Sequence, residues 1–162
     1  MIARKLLKFP QNIFPDMKPE YKESDYSYAT NYRVRSHECD RQGVVHNSRY
    51  LEILEVARIE FCRDVIKIPM DAGTFASHDK FLFVRNALNY FSPAQFDEEL
   101  VIYTRVSKMG RTSITLEQIM NRKNDTSRIL ECESVMVSVD EKTNEPREIS
   151  AAIRNLIQPK KS

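Results

Sequence analysis

The sequence predicts an α+β domain in which a five-stranded antiparallel sheet wraps around one long central helix and a short helix closes the C-terminus. Three observations carry this expectation. Strand-length segments with a period of two recur along the chain, divided by turn residues at Gly110 and Asn124-Asp125. One stretch, residues 47–67, has the helical period instead, with Leu51, Leu54, Phe61 and Val65 in register. Ile53, Val56 and Cys62 add apolar residues on other sides of that helix. A helix so broadly apolar must be buried on more than one side, and a curled sheet meets that demand.

Composition sets the outer limits. A chain of 162 residues with 41% apolar content can bury one sizeable core, and no compositional break suggests a second domain. Lys and Arg total 25 against 23 Asp and Glu, a net charge of +2 spread along the chain, so nothing points to a nucleic acid partner. The apolar runs are strand-sized, far short of the ~20 residues a membrane span needs. Cys39, Cys62 and Cys132 lack metal-ligand or Cys-x-x-Cys spacing, which fits a reduced compartment and a cytoplasmic protein. No cluster with metal-ligand spacing, no phosphate-binding glycine loop and no Ser-His-Asp arrangement is visible, so no metal or cofactor is expected.

In chain order, residues 1–27 open with Arg4, Lys5 and Lys8 among apolar residues and then break at Pro10, Pro15 and Pro19. The segment lacks the serine content and long apolar region of a targeting signal, so it is expected to be an N-terminal arm lying across the sheet or a neighbouring subunit. The domain proper spans 28–157. Tyr28, Thr30, Tyr32 and Val34 alternate with Ala29, Asn31, Arg33 and Arg35 and predict the first strand, which delivers Asp40. Gly43 allows a sharp turn, and Asn47 or Ser48 is expected to cap the helix over 47–67. A loop through Gly73 and His78 leads to a strand over 81–91, followed by strands over 100–107, 113–122 and 128–139. Short turns between successive strands predict a meander. On the strand over 113–122, Ile114, Leu116 and Met120 share the core face, while Ser113, Thr115, Glu117 and Asn121 share a face that is wet or at an interface. Residues 146–156 predict the terminal helix, with Ser150 as cap, and 158–162 are a solvated tail.

The chemistry gathers at Asp40-Arg41-Gln42-Gly43-Val44-Val45-His46-Asn47-Ser48-Arg49-Tyr50. A carboxylate precedes a helix start, where free backbone N–H groups and the helix dipole favour an oxyanion. The spacing Asp-x-x-Gly-x-Val-x-Asn-x-x-Tyr, followed by Glu55-x-x-Arg58, resembles hotdog-fold acyl-coenzyme A thioesterases of the 4-hydroxybenzoyl-coenzyme A thioesterase class. Tyr90-Phe91-Ser92-Pro93-Ala94 with Asp97-Glu98-Glu99-Leu100 matches a second part of the family pattern, and the resemblance covers roughly 28–156. It implies the hotdog fold and hydrolysis of an acyl-CoA or acyl-carrier-protein thioester. Asp40 would be nucleophile or general base, and the Asn47 backbone N–H would polarise the thioester carbonyl.

The resemblance also implies that other hotdog thioesterases use a helix glutamate, which makes Glu55 the second candidate. Against this stands an ordinary i,i+3 pairing of Glu55 with Arg58. One branch of the family carries His seven residues after the Asp; here that place is Asn47, with His46 one position early. His46 is therefore weak as a base and is kept, with Gly43, Val45, Tyr50 and Arg111, among the residues expected around the substrate, although Tyr50, like Tyr90, fits the core better. His37 is ordinary. Arg122 and Lys123 join Arg111 as possible contacts for coenzyme A phosphates. Cys39 beside Asp40 reads better as a small buried thiol than as a nucleophile. The Asp-x-Asn-Pro-x-His pattern of hotdog dehydratases is absent, whereas a non-catalytic thioester-binding module stays open. The resemblance further implies sites shared between two subunits of a homodimer or homotetramer, consistent with the sheet edges a single copy leaves open.

Overall fold

The computed structural model describes residues 21–26, 28–67, 70, 71, 74, 75 and 80–157. The arm before residue 21, Gly73, His78 and the tail over 158–162 lie outside the described residues. Strand β1 spans Ala29–Arg33 and helix α1 spans Asn47–Phe61. A π-helical turn, Cys62–Ile66, continues α1 and ends at Lys67 with φ of 54°. Two short strands, β2 (Met70–Asp71) and β3 (Thr74–Phe75), pair as a hairpin. The long strands are β4 (Lys80–Tyr90), β5 (Glu99–Met109), β6 (Ser113–Arg122) and β7 (Arg128–Val139). Helix α2, Ala151–Leu156, starts at the expected cap, where Ser150 Oγ accepts the Ile153 N–H at 3.3 Å.

The five-stranded antiparallel sheet has the order β1-β5-β6-β7-β4. Only β5, β6 and β7 form the predicted meander; β4 crosses to the far edge and pairs with β7 rather than with the next strand in sequence. Alternation along β5 explains the layers. Leu100, Ile102, Thr104 and Val106 are buried beneath α1, while Val101, Tyr103 and Arg105 turn outward. From α1, Tyr50, Ile53, Leu54, Ala57 and Phe61 enter the core, which confirms a helix wrapped by the sheet, the hotdog arrangement. A register shift between Phe83 and Arg85 places a β-bulge at Val84.

The outward face of β6 is not wet. Glu117, Ile119 and Asn121, with Glu131 of β7, are buried, and residues 21–26 run across this face. The Tyr21 N–H donates to Glu131 Oε1 (3.3 Å), Arg128 reaches Tyr21 O and Glu23 Oε1, and Arg105 lies over the Tyr26 ring. The described end of the arm thus occupies its own sheet.

Candidate active site

After β1 the chain makes a short 3-10 turn at Ser36–Glu38 before reaching Asp40, so the strand does not deliver Asp40 directly. Glu38, which the sequence did not single out, pins this connection. Its carboxylate is buried, accepts the Arg35 N–H at 2.7 Å and the Tyr32 hydroxyl, and its carbonyl accepts the His46 N–H at 2.9 Å. Burial, and then the bond to Glu38, pushes the Tyr32 phenol up to about 12.

Asp40 sits half-buried in a tight loop. Its N–H donates to Val44 O (2.9 Å), its carbonyl accepts the Gly43 N–H (3.0 Å), and Oδ1 accepts the Gln42 N–H (2.7 Å). Gly43 has φ of +79°, and nothing stands within 4 Å of where its Cβ would be. The glycine is therefore required by the left-handed turn rather than by crowding. Asp40 fills the turn role expected of such a residue through Oδ1, while Oδ2 has no hydrogen-bond partner among the described residues.

The helix start differs from expectation. His46 is the N-cap, with extended backbone and Nδ1 accepting the Ser48 N–H at 3.3 Å; Asn47 is the first helical residue. The same Nδ1 lies 2.9 Å from Ser48 Oγ, so it is engaged at the helix start. Asn47 is exposed, and its side chain has no hydrogen-bond partner among the described residues. Its N–H belongs to the first turn, where no helical carbonyl is available.

Val45 and Tyr50, expected around the substrate, are core residues at 4% and 3% exposure. Val45 donates its N–H to Ala94 O (2.8 Å), and Tyr50 Oη accepts the Ala94 N–H (2.9 Å). Burial pushes the Tyr50 phenol up to about 12. Arg122 is an internal clamp rather than a free phosphate ligand: it donates to Ser92 Oγ (2.9 Å), Ser127 Oγ (3.0 Å), Glu98 Oε1 (3.2 Å) and Pro93 O. Lys123 pairs with Glu99 at 3.3 Å. Arg111 is exposed and lies just beyond β5, at the opposite end of that strand from the residues that adjoin the Asp40 loop. Within one protomer the fold does not bring Arg111 to Asp40.

Glu55 is exposed on α1 and makes no ion pair with Arg58, whose Nη1 instead donates to Gln118 Oε1 at 3.0 Å. Cys39 is unsuited to attack, since burial and the nearby Glu38 and Asp40 carboxylates push its thiol above the ordinary value. All three cysteines are free, no metal-holding cluster exists among the described residues, and no described helix is long and apolar enough to cross a membrane.

The chain is similar in sequence and in fold to known proteins. YbgC of Shigella flexneri, an acyl-CoA thioester hydrolase, is 30% identical over 122 residues, covering 75% of this chain and 88% of the relative. FadM of Escherichia coli, a long-chain acyl-CoA thioesterase, is 25% identical over 130 residues, 80% of this chain and 96% of the relative. The solved structure of YbaW, a probable thioesterase from Escherichia coli, superposes with a TM-score of 0.66 at 25% identity, covering 79% of this chain and 94% of its own. A Pseudomonas aeruginosa protein reaches 0.72 at 20% identity over 83% and 92% of the two chains, which speaks for the fold alone. The profile of the thioesterase-like superfamily matches residues 34–157. On the hotdog architecture, the Asp40 loop and this match together, the chain belongs to the thioesterase-like superfamily.

Proposed function

We propose that this protein hydrolyses acyl-CoA thioesters to a carboxylic acid and free coenzyme A, as a member of the 4-hydroxybenzoyl-CoA thioesterase class, with Asp40 as the reacting carboxylate. The observation that carries this reading is the division of labour at Asp40. Oδ1 is held by the Gln42 N–H, which fixes the carboxylate, and Oδ2 is left free just ahead of the α1 N-terminus. The names of YbgC and FadM support the substrate class.

Two routes fit these groups. In the first, Asp40 attacks the thioester carbon, the C–S bond breaks as the coenzyme A thiolate leaves, and water then cleaves the mixed anhydride. In the second, Asp40 takes a proton from water, which attacks the same carbon, and the thiolate leaves after the tetrahedral intermediate collapses. Both develop negative charge on the carbonyl oxygen, which the Asn47 N–H and the dipole of α1 stabilise. Glu55, exposed on α1, is the second candidate carboxylate.

Thiol release measured across a panel of acyl-CoA and acyl-carrier-protein esters tests the reading. Hydrolysis lost in Asp40→Asn supports it. Binding of the esters without turnover would make the protein a thioester-binding module instead.

A further inference from the structure

Arg58 of α1 takes no part in the proposed reaction. It lies half-buried, and its guanidinium stacks on the Phe83 ring at 4.6 Å. Its hydrogen-bond partner is neutral. Gln118, fully buried on β6, spends its amide N–H groups on Leu54 O (3.0 Å) and Thr104 Oγ1 (3.1 Å), so only Oε1 is left to accept from Arg58. Among the described residues no carboxylate pairs with Arg58. Burial holds the guanidinium below its ordinary value, outweighing the opposite effects of Cys132, Glu55 and Cys62. A half-buried guanidinium bonded to a neutral amide keeps N–H donors that an anion can take on its open side.

The missing anion does not come from the interior. The cavity beside Arg58 holds about 20 Å³, lined otherwise by apolar groups such as Phe61, Phe81 and Met136. That is room for little more than one water. The other side is open. Ser48, Leu51, Glu55 and Arg58 share one face of α1 by the three- and four-residue spacing, and the first three are exposed.

Strand β4 runs beside α1, as the Tyr50–Tyr90 and Arg58–Phe83 ring contacts show. Phe83 pairs in register with Met136 and Asn86 with Ser134, both buried core-face residues of β7, and the bulge at Val84 keeps Phe83 and Asn86 on one side. Both are exposed. The Ser134 hydroxyl donates to Asn86 Oδ1 at 2.7 Å, which leaves the Asn86 amide N–H groups without a partner among the described residues. The exposed row of α1 thus leads from the helix N-terminus towards two donors, Arg58 and Asn86. Arg58 is eleven residues beyond Asn47, about 16 Å along the helix axis, and helical side chains lean back towards the N-terminus. The thioester end and the donor end are therefore one acyl chain apart.

We propose that Arg58, assisted by Asn86, binds a carboxylate at the far end of the acyl group, so that the preferred substrates are monothioesters of dicarboxylic acids. This rests on the thioesterase reading above. Arg58 is a specificity residue; it touches the distal end of the substrate and takes no part in bond cleavage. Glu55 does not neutralise it, because an exposed, unpaired carboxylate is screened by water.

The test compares chain-matched esters, octanoyl-CoA with suberyl-CoA and decanoyl-CoA with sebacyl-CoA, on the full chain. The expected kcat/KM favours the dicarboxylic member of each pair at least tenfold, and Arg58→Met reduces that ratio at least tenfold, chiefly through KM. Arg58→Lys, which keeps the charge, retains part of the preference; Asn86→Ala lowers it. Free suberate raises the melting temperature of the wild type but not of Arg58→Met, and octanoate raises neither. Equal kcat/KM within each pair, or a ratio unchanged by Arg58→Met, overturns the proposal and leaves the thioesterase reading intact. An oligomer that dissociates in Arg58→Met with the ratio unchanged assigns the counter-ion to a partner subunit and also overturns it. Suberate binding with no ester hydrolysed sinks the thioesterase reading instead.

Discussion

Tyr50 Oη accepts the backbone N–H of Ala94 at 2.9 Å, fastening the first turn of α1 to the segment that leads into β5. Tyr50→Phe leaves that buried N–H unpaired, at a cost of about 1–3 kcal/mol. Chemical denaturation is expected to show a lower midpoint with an unchanged slope. An unchanged midpoint would mean that the segment finds another partner.

Asp40→Asn separates catalysis from folding. The asparagine carbonyl can still accept the Gln42 N–H, so the melting temperature is expected to stay near that of the wild type. Turnover is expected to fall by about a hundredfold or more, the range of a lost acid–base group. A folded variant with near-normal turnover would reduce Asp40 to a turn residue.

Neighbouring variants at the helix start should part company. His46→Ala removes the observed cap and is expected to cost about 0.5–2 kcal/mol of stability. Asn47→Ala removes no cap, so its melting curve should move little. If its side-chain amide assists the oxyanion, turnover falls on the order of a hundredfold. Full activity in Asn47→Ala would leave the backbone N–H as the sole donor at that residue.

What the sequence showed and hid follows from the range of the interactions. The bounds of β6 and β7 coincide with the prediction because the turn residues that flank them, Gly110 and Asn124-Asp125, are local signals. Ser150 was legible as a cap for the same reason. The cap of α1 was expected at Asn47 or Ser48 and falls at His46, since histidine is a poor prior for a cap and only the ring geometry of His46 reveals it. Glu38 and Gln118 were invisible, and Arg122 was given the wrong task, because their partners lie on other elements or are backbone atoms. The crossing of β4 to β7 likewise depends on which edge the core leaves open.

The strap over the sheet gives a pH dependence with a definite sign. Burial raises the Glu23 carboxyl, but hydrogen bonds from its own backbone, Asn121 and Arg128 outweigh that and leave it below its ordinary value of 4.5. A depressed carboxylate stabilises the fold above its unfolded value and loses that contribution as pH falls through the folded one. Protection factors at residues 21–26, corrected for intrinsic exchange, are expected to fall below about pH 4.5 in the wild type. In Glu23→Gln they should be lower at neutral pH and nearly independent of pH on acidification. Equal protection in both proteins would remove Glu23 from the strap.

The open edge of β4 is expected to join two copies. Leu82, Phe83 and Val84 are exposed there at 41%, 44% and 61%. An apolar strand edge invites pairing. Light scattering at micromolar concentration should give a multiple of 19.0 kDa. A stable, active monomer would contradict this.

The sheet order also fixes a sequence of events during synthesis. Ala29 pairs with Tyr103, and Tyr90 with Leu130, so both outer strands wait for partners made much later. The chain must therefore release α1, with Ile53, Leu54 and Phe61 uncovered, well before the strands that enclose it exist. Local pairing within β5, β6 and β7 closes the shortest loops and is expected to come first, with the flanking strands docking afterwards. Pulse-labelled hydrogen exchange during refolding should find β5–β7 protected ahead of β1; simultaneous protection would contradict this order. Until that docking is complete the nascent helix is sticky, and a growing chain of this kind has most need of a chaperone between the synthesis of α1 and that of β7.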